Sequence, residues 1–433
     1  MSYECGDKQM KLYEHQVNAL NETEKFNKCA YFLDMGLGKT FVGSEKATSF
    51  NQDILVICQK SKVQDWVEHF EKYYETDEIS VYDLTKPKQL DAFLHRPDTP
   101  YWSIAVINYD LVWRRKIPMK NFTLMLDESS LIQNKSSKRT RSIMRLKPDN
   151  VILLSGTPTD GKYERLWTQC KLLGWDISEK NFWDEYVKWH YVDFGGIMVK
   201  QVYGYKHIAE LKANLRAYGC IFMKTNEVIC LPDQVNQIVR SDATSDYRKF
   251  MKNSYLVLDD GTQFVGDNSL SKLLYSRQLC SIYNPNKLSA FLDIVNSTSE
   301  RLIVFYNFNA EFELMMSRVD RPVSVVNGHT KDLSNYENHD DSITFVQYQA
   351  GAYGLNLQKA NHIIYFSLPL SSEQFEQSKK RIHRIGQNKT CFYYVMMCKN
   401  SIEEKIYAAL QEKKDYTDRL FEKSCLQKHE HVL

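Results

Sequence analysis

The chain has 433 residues, 43% hydrophobic and 25% charged, and its 56 basic and 54 acidic side chains leave a net charge of +2. About two or three domains with real cores fit that length, whereas disorder, collagen-like repeats and small disulfide scaffolds do not fit the composition. Near-neutrality means that any nucleic-acid role must rest on local charge. The opening stretch, MSYECGDKQMKLYEHQ, is polar and lacks the apolar core of a signal peptide. No run reaches the ~18 apolar residues that a membrane span requires. Ten cysteines are scattered without a CxxC pair, and Cys58 and Cys398 follow apolar runs and read as buried thiols. The expectation is a soluble, cytoplasmic protein with no membrane partner.

Short apolar runs rich in Val and Ile recur at residues 54–58, 104–107, 123–126 and 151–154. A second series follows at 302–306, 323–326, 343–346, 362–366 and 392–397. Runs of this length without alternation predict strands buried on both faces of a parallel sheet. Helical stretches such as 63–74 lie between them, so the units read as βαβ. The intervening part has a different texture, with Trp167, Trp175, Trp183 and Trp189 in a mostly helical pattern. Leu231-Pro232-Asp233-Gln234 forms a Pro-marked break that divides a lobe of residues 1–233 from one of 234–433. The predicted fold is therefore α/β, with two tandem parallel-sheet lobes, each carrying helical additions. The tail, residues 401–433, is helical in pattern and mixed in charge, and docks either on the second lobe or on a partner.

The strongest local feature is LDMGLGKT at residues 33–40, between an apolar strand signal and a helix signal. A glycine-rich turn there, with Gly36 and Gly38, presents backbone N–H groups to phosphate oxygens. Lys39 then reaches the β- and γ-phosphates of a nucleotide, and the Thr40 hydroxyl holds Mg²⁺. Leu33 stands where the strict pattern wants a further glycine, and a turn of this length is in other contexts a plain loop. TLMLDESS at residues 123–130 supplies the second carboxylate-bearing strand. Asp127 suits Mg²⁺ through its water shell, and Glu128 suits the attacking water. Alone, two acids after a strand are a solvated loop; beside a phosphate loop they read as an NTPase.

The order of motifs resembles the Swi/Snf-type ATPases of helicase superfamily two, in the short stand-alone form carried by phages and bacteria. The resemblance runs through Leu12-Tyr13-Glu14-His15-Gln16, residues 34–40, residues 59–70 with Trp66, Asn108-Tyr109-Asp110, Asp127-Glu128-Ser129-Ser130 and Ser155-Gly156-Thr157-Pro158. It continues through residues 301–308, 326–330, 349–357 and 377–387, the last reading QSKKRIHRIGQ. The resemblance implies two RecA-like lobes with an ATP cleft between them, Gln16 reading adenine, and Gln377 and Gly354 contributing to the nucleotide site. It also implies that Gln59, Lys60, Ser61 and Asn108 in the first lobe, and Gly328, His329 and Thr330 in the second, touch a DNA backbone. Ser155 and Thr157 take the coupling role. Ser129-Ser130 departs from the usual Ala-His, and Tyr348, Gln349 and the absence of Trp from residues 367–372 depart as well.

Gln377, Arg381 and Arg384 recur at spacings of four and three, which predicts one helical face ended by Gly386. Two guanidiniums there suit an arginine finger, and the alternative is a basic solvated face with Lys379 and Lys380. Local positive charge appears at Lys135, Lys138, Arg139, Arg141, Arg145 and Lys147 with no intervening acid, which suits sequence-independent phosphate contacts or an ordinary solvated helix. Most aromatics, such as Phe305, Tyr365, Phe392 and Tyr394, lie in strand stripes and read as core. The functional expectation is an ATP- and Mg²⁺-dependent motor on double-stranded DNA, with replication or recombination factors as candidate protein partners. For a phage protein the compartment is the host cytoplasm. A strand-separating helicase is one alternative, with no wedge hairpin evident in the sequence. A nucleotide-gated scaffold is the other, and a chromatin remodeller is disfavoured because no histone-reading segment flanks the motifs.

Overall fold

The computed structural model describes residues 11–74, 79–97, 101–159, 161–193, 195–228, 231–349 and 355–421, with side chains of the last helix described to residue 413. The chain divides into two compact units, one of Met1–Val228 with Asp415–Leu433 and one of Ile229–Lys414. Each is an α/β lobe built on a seven-stranded sheet.

In the first unit the strands are β1 (Lys28–Leu33), β2 (Asp53–Cys58), β3 (Ile79–Asp83), β4 (Trp102–Asn108), β5 (Phe122–Asp127), β6 (Asn150–Leu154), β7 (Val187–Asp193), β8 (Met198–Tyr205) and β9 (Cys220–Met223). Seven of them form one sheet in the order β3-β4-β2-β5-β6-β1-β9, with every pairing parallel. The interior strands are buried almost throughout, since helices cover both faces of a parallel sheet. Gly43 shows how tightly: a Cβ there would sit 2.8 Å from Leu154 Cδ1 and 3.1 Å from Met125 Sδ. The helix Lys39–Thr48 therefore lies close enough to the sheet to fix the loop that precedes it.

The second unit holds β10 (Gln234–Ser241), β11 (Tyr255–Val257), β12 (Gln263–Val265), β13 (Leu302–Tyr306), β14 (Val323–Val326), β15 (Lys331–Asp332), β16 (Ile343–Gln347), β17 (His362–Tyr365) and β18 (Cys391–Cys398). Its sheet runs β10-β18-β17-β13-β16-β14-β15, parallel except for the short β14–β15 pair. Phe305 and Tyr365 are core residues, while Phe392 and Tyr394 are half-buried and stack on the His362 ring. The last helix, Ile402–Phe421, begins by docking here: Ile406 and Leu410 are buried in the same cluster as Tyr393 and Val395. The seven described cysteines are buried free thiols.

The middle part carries the expected helices and, in addition, two antiparallel hairpins that the sequence reading did not include. Between the helices Glu179–Tyr186 and Ile208–Ala217 stands the antiparallel hairpin β7–β8, and β11–β12 is a second hairpin. The Gly195-Gly196 pair between Val/Tyr-rich runs is a hairpin signal that the tryptophans obscured. β7–β8 leaves Tyr191, Ile197, Met198 and Tyr203 more than half exposed. No described helix is long and apolar enough to cross a membrane.

Candidate functional site

The glycine-rich loop leaves β1 at Leu33 and enters the helix that starts at Lys39. Gly36 and Gly38 take φ of 90° and 75°, a region that disfavours side chains. Gly38 also meets a close neighbour, since a Cβ there would fall 2.0 Å from Gln16 Nε2. Gln16 is 3% exposed, and its amide donates to Leu37 O at 3.1 Å and accepts from Tyr13 N–H at 2.9 Å. It thus braces the loop from outside. Lys39 Nζ donates to Leu33 O at 3.0 Å and lies beside Gly156, whose Cβ position is 3.4 Å away. Thr40, the next residue, is half-buried at the helix start.

The carboxylates come from the end of β5, two strands from β1 in the sheet. Asp127 is half-buried, and its Oδ2 accepts from Trp66 Nε1–H at 2.9 Å. Desolvation raises its carboxyl above the ordinary range, opposed by the Trp66 hydrogen bond and by the charges of Lys39 and Lys62. Glu128 has φ 53° and ψ 61°, the left-handed region, which for a non-glycine residue stores strain. Ser155 Oγ–H donates to Glu128 Oε2 at 3.2 Å, and Ser155 Oγ accepts from Thr157 N–H at 3.2 Å. The ends of β1, β5 and β6 thus gather Lys39, Asp127, Glu128, Ser155 and Thr157 at the carboxyl edge of the sheet, where open α/β sheets bind ligands. Thr157 Oγ1 is buried with no hydrogen-bond partner among the described residues.

The loops expected to face DNA differ in exposure. Lys60 is exposed and Ser61 half-buried in the short 3₁₀ turn Lys60–Lys62. Gly328, His329 and Thr330 are exposed, in a turn pinned by Asn327 Oδ1, which accepts from the His329 and Thr330 N–H groups. Asn108, at the end of β4, is 4% exposed, and its Oδ1 is buried with no hydrogen-bond partner among the described residues. In the basic segment Lys135, Lys138, Arg141, Arg145 and Lys147 are exposed and Arg139 is half-buried.

In the second unit the helical-face prediction for the arginines is corrected. The helix is Ser372–Lys379, so it holds Gln377 but ends before Arg381 and Arg384. The chain leaves helical geometry because Ile382 and Gln387 turn into the core, Gln387 Nε2 donating to Gln358 O and Ala360 O, with Gly386 at φ 96°. Arg381 is 5% exposed, and the Arg384 guanidinium donates to Asn356 Oδ1. Burial lowers the Arg384 pKa from its usual value. Gln377 Nε2 donates to Glu373 Oε1 at 3.1 Å. Gly354 lies outside the described residues.

Comparison with known families decides the assignment. The SNF2-related domain matches residues 14–287, well over half the chain, and the helicase conserved C-terminal domain matches residues 286–386. The chain belongs to the SNF2-related family. Among its relatives, a putative ATP-dependent helicase/translocase, YwqA, of Bacillus subtilis is 22% identical over 438 residues, covering 90% of this chain and 46% of the relative. The Gallus gallus chromodomain-helicase-DNA-binding protein 1 is 22% identical over 477 residues, covering 95% of this chain and 27% of the relative. The ATP-dependent DNA helicase DDM1 of Arabidopsis thaliana is 23% identical over 440 residues, covering 86% and 56%. The chain thus spans about half the length of these relatives or less. The Sulfolobus solfataricus SWI2/SNF2 ATPase core in complex with dsDNA aligns at TM-score 0.43 and 19% identity, over 94% of this chain and 92% of that one.

Within this SNF2-related chain, the Ser-Ser departure after the carboxylates has a structural counterpart. Ser129 Oγ–H donates to Gln169 Oε1 at 2.8 Å, and Gln169 Nε2 donates to Pro158 O at 2.7 Å. That bridge joins the carboxylate segment to the Ser-Gly-Thr-Pro segment through a helix residue 40 positions away in sequence. Two further contacts escaped the sequence reading. Asp34 Oδ2 accepts from the Thr225 N–H and hydroxyl at 3.1 and 3.2 Å, and the Tyr109 hydroxyl donates to Asp127 O at 2.9 Å. All three contacts link residues distant in sequence; Ser129, Asp34 and Tyr109 lay inside recognised motifs, but the order of the motifs gave none of these pairings.

Proposed function

We propose that the chain is a DNA-dependent ATPase that moves along double-stranded DNA. The observation that carries this reading is the gathering of Lys39, Asp127, Glu128 and Ser155 at one edge of the first sheet, in a chain of the SNF2-related family. Lys39 and the backbone N–H groups of the first helical turn bind the phosphates of ATP. Gln16 sets the loop's shape while the base of the nucleotide is read nearby. Thr40 and Asp127 are hard oxygen donors that fit Mg²⁺, and Trp66 fixes one carboxylate oxygen of Asp127 in direction. When bound, the ion neutralises charge on the phosphates. Glu128, with Ser155 on Oε2, takes the proton of the attacking water.

Arg381 and Arg384 reach the γ-phosphate when DNA favours closure of the two lobes, and Thr157 and Gly354 couple nucleotide state to grip. Both arginines lie in the turn that follows the helix Ser372–Lys379, where Arg381 is buried and Arg384 half-buried. Lys60, Ser61, Gly328 and Thr330 hold the DNA backbone. The deciding measurement is the ATPase rate with duplex DNA, single-stranded DNA and RNA, with Lys39→Ala as control. Duplex stimulation that vanishes in the control is expected, and a rate indifferent to all three nucleic acids removes the reading.

One observation favours a second reading. The hairpin β7–β8 exposes Tyr191, Ile197, Met198 and Tyr203, and a hairpin with exposed apolar side chains is the kind of wedge that a strand-separating helicase needs. Unwinding of a forked duplex, compared with displacement of a triplex third strand, separates the two: a translocase displaces the third strand and leaves the fork paired.

A further inference from the structure

Two side chains tie the outer loops of the first lobe to the carboxylates. The turn Lys60–Lys62 runs directly into the helix Val63–Tyr73, which carries Trp66. Trp66 is 2% exposed, yet its one polar atom ends on Asp127 Oδ2 at 2.9 Å. The second tie starts where β4 ends. Tyr109 N–H donates to Cys58 O at 3.1 Å, the residue just before Gln59, so the two loops are stitched at their roots. The Tyr109 hydroxyl, on a side chain that is 2% exposed, reaches Asp127 O at 2.9 Å and Glu128 O at 3.4 Å. It therefore braces the peptides on both sides of Glu128 Cα.

That brace has something to hold. Glu128 sits at φ 53°, a conformation that costs an L-residue about 1–2 kcal/mol and persists only where the surroundings over-determine it. Packing alone does not explain the pattern at Tyr109, because Phe there would fill nearly the same space. What Phe lacks is the indole N–H and the hydroxyl, and both of those atoms end on Asp127.

Resting on the function proposed above, we infer that Trp66 and Tyr109 are positioning residues that transmit DNA contact at the loops 59–62 and 108–111 to the geometry of Asp127 and Glu128. A backbone phosphate at Lys60 and Ser61 moves the start of the Trp66 helix, and Trp66 moves with it. The indole then re-aims the Asp127 carboxylate. Tyr109 conveys a shift of the loop roots to the Glu128 backbone. Neither residue touches nucleotide or DNA.

The test uses the full chain with Trp66→Phe, Tyr109→Phe and Lys60→Ala, alone and in pairs. Steady-state ATPase is measured with and without saturating duplex. Each Phe variant is expected to lower the ratio of stimulated to basal rate about five- to tenfold, the scale of one lost hydrogen bond to a charged or strained group. KM for ATP and the half-saturating DNA concentration stay within about twofold, a split that general loss of fold does not produce. Trp66→Phe raises the Mg²⁺ concentration for half-maximal rate, whereas Tyr109→Phe does not. Lys60→Ala and Trp66→Phe together lose less stimulation than the product of their single effects, as serial elements do. If Trp66→Phe fails to fold, Tyr109→Phe, which removes one oxygen, carries the test. Unchanged ratios in folded variants, or equal loss of basal and stimulated rates, overturn the inference while wild-type stimulation stands. Absence of stimulation in the wild type overturns instead the function on which it rests.

Discussion

At the scale of single residues, the glycine-rich loop is decided by backbone geometry as much as by chemistry. Gly38 combines a φ of 75° with a neighbour, Gln16 Nε2, at 2.0 Å from where a Cβ would stand. Gly38→Ala is expected to cost about 1–2 kcal/mol of stability in the left-handed conformation alone and to dislodge the Gln16 amide. Thermal denaturation with nucleotide titration checks it; adding Gln16→Ala relieves the clash but leaves the strain. His69 gives a pH prediction. Its Nε2 lies 2.9 Å from Ser44 Oγ on the loop's helix, and burial, with Lys72 adding to it, lowers its pKa from 6.5 to about 4. Between those values the unfolded chain binds a proton that the folded one does not. Stability from this group is therefore complete above about pH 6.5 and falls toward pH 4, at about 1.4 kcal/mol per unit within the window. Urea midpoints at pH 7 and pH 5 should differ less in His69→Gln, which keeps a hydrogen-bonding side chain that does not titrate.

At the scale of elements, the last helix is fastened by an ion pair that no motif announces. Lys287, in the helix Pro285–Asn296, and Glu403, in the first turn of Ile402–Phe421, meet at 2.6 Å with side chains 0% and 3% exposed. Burial works against both charges; the facing carboxylate outweighs it for Lys287, whose pKa is raised, while Glu403 is held above the usual carboxylate range. Glu403 Oε2 also accepts from Cys398 N–H at 2.9 Å, so the pair ties the helix to β18. Removing one partner leaves a buried charge alone, and Lys287→Met is expected to cost about 3–5 kcal/mol by chemical denaturation. Lys287→Met with Glu403→Leu should recover much of that loss, since two apolar groups need no counter-charge. The hairpin β7–β8 shows the opposite kind of element, one held by pairing and aromatic contact with little burial. Lys200 Nζ lies 4.0 Å from the Trp189 ring centroid, and the His190 and Tyr203 rings meet at a tilt with centroids 5.4 Å apart.

At the scale of the whole molecule, a net charge of +2 leaves the proposed DNA binding to a few exposed cations. Lys138 and Arg141 are exposed on the short helix Lys138–Ile143, within a stretch that has no acid. Replacing both with Ala is expected to weaken duplex binding uniformly across sequences and to reduce the salt slope of log K by about 1 per lost phosphate contact. Affinity at several salt concentrations on two unrelated duplexes checks it. The sequence by itself determined the two parallel-sheet lobes, because short continuous Val/Ile runs alternating with helical stretches read as strands covered on both faces. It also determined the glycine-rich loop between strand and helix and the paired acids after β5, because these lie in contiguous residues. Tertiary structure alone decided that Asn108 is buried and that Arg381 and Arg384 leave their helix, since the burial of β4, Ile382 and Gln387 overrides local spacing. It alone decided the Trp66, Tyr109 and Gln169 contacts as well. Hydrogen bonds between residues tens of positions apart exist only once parallel strands have brought their ends to one edge.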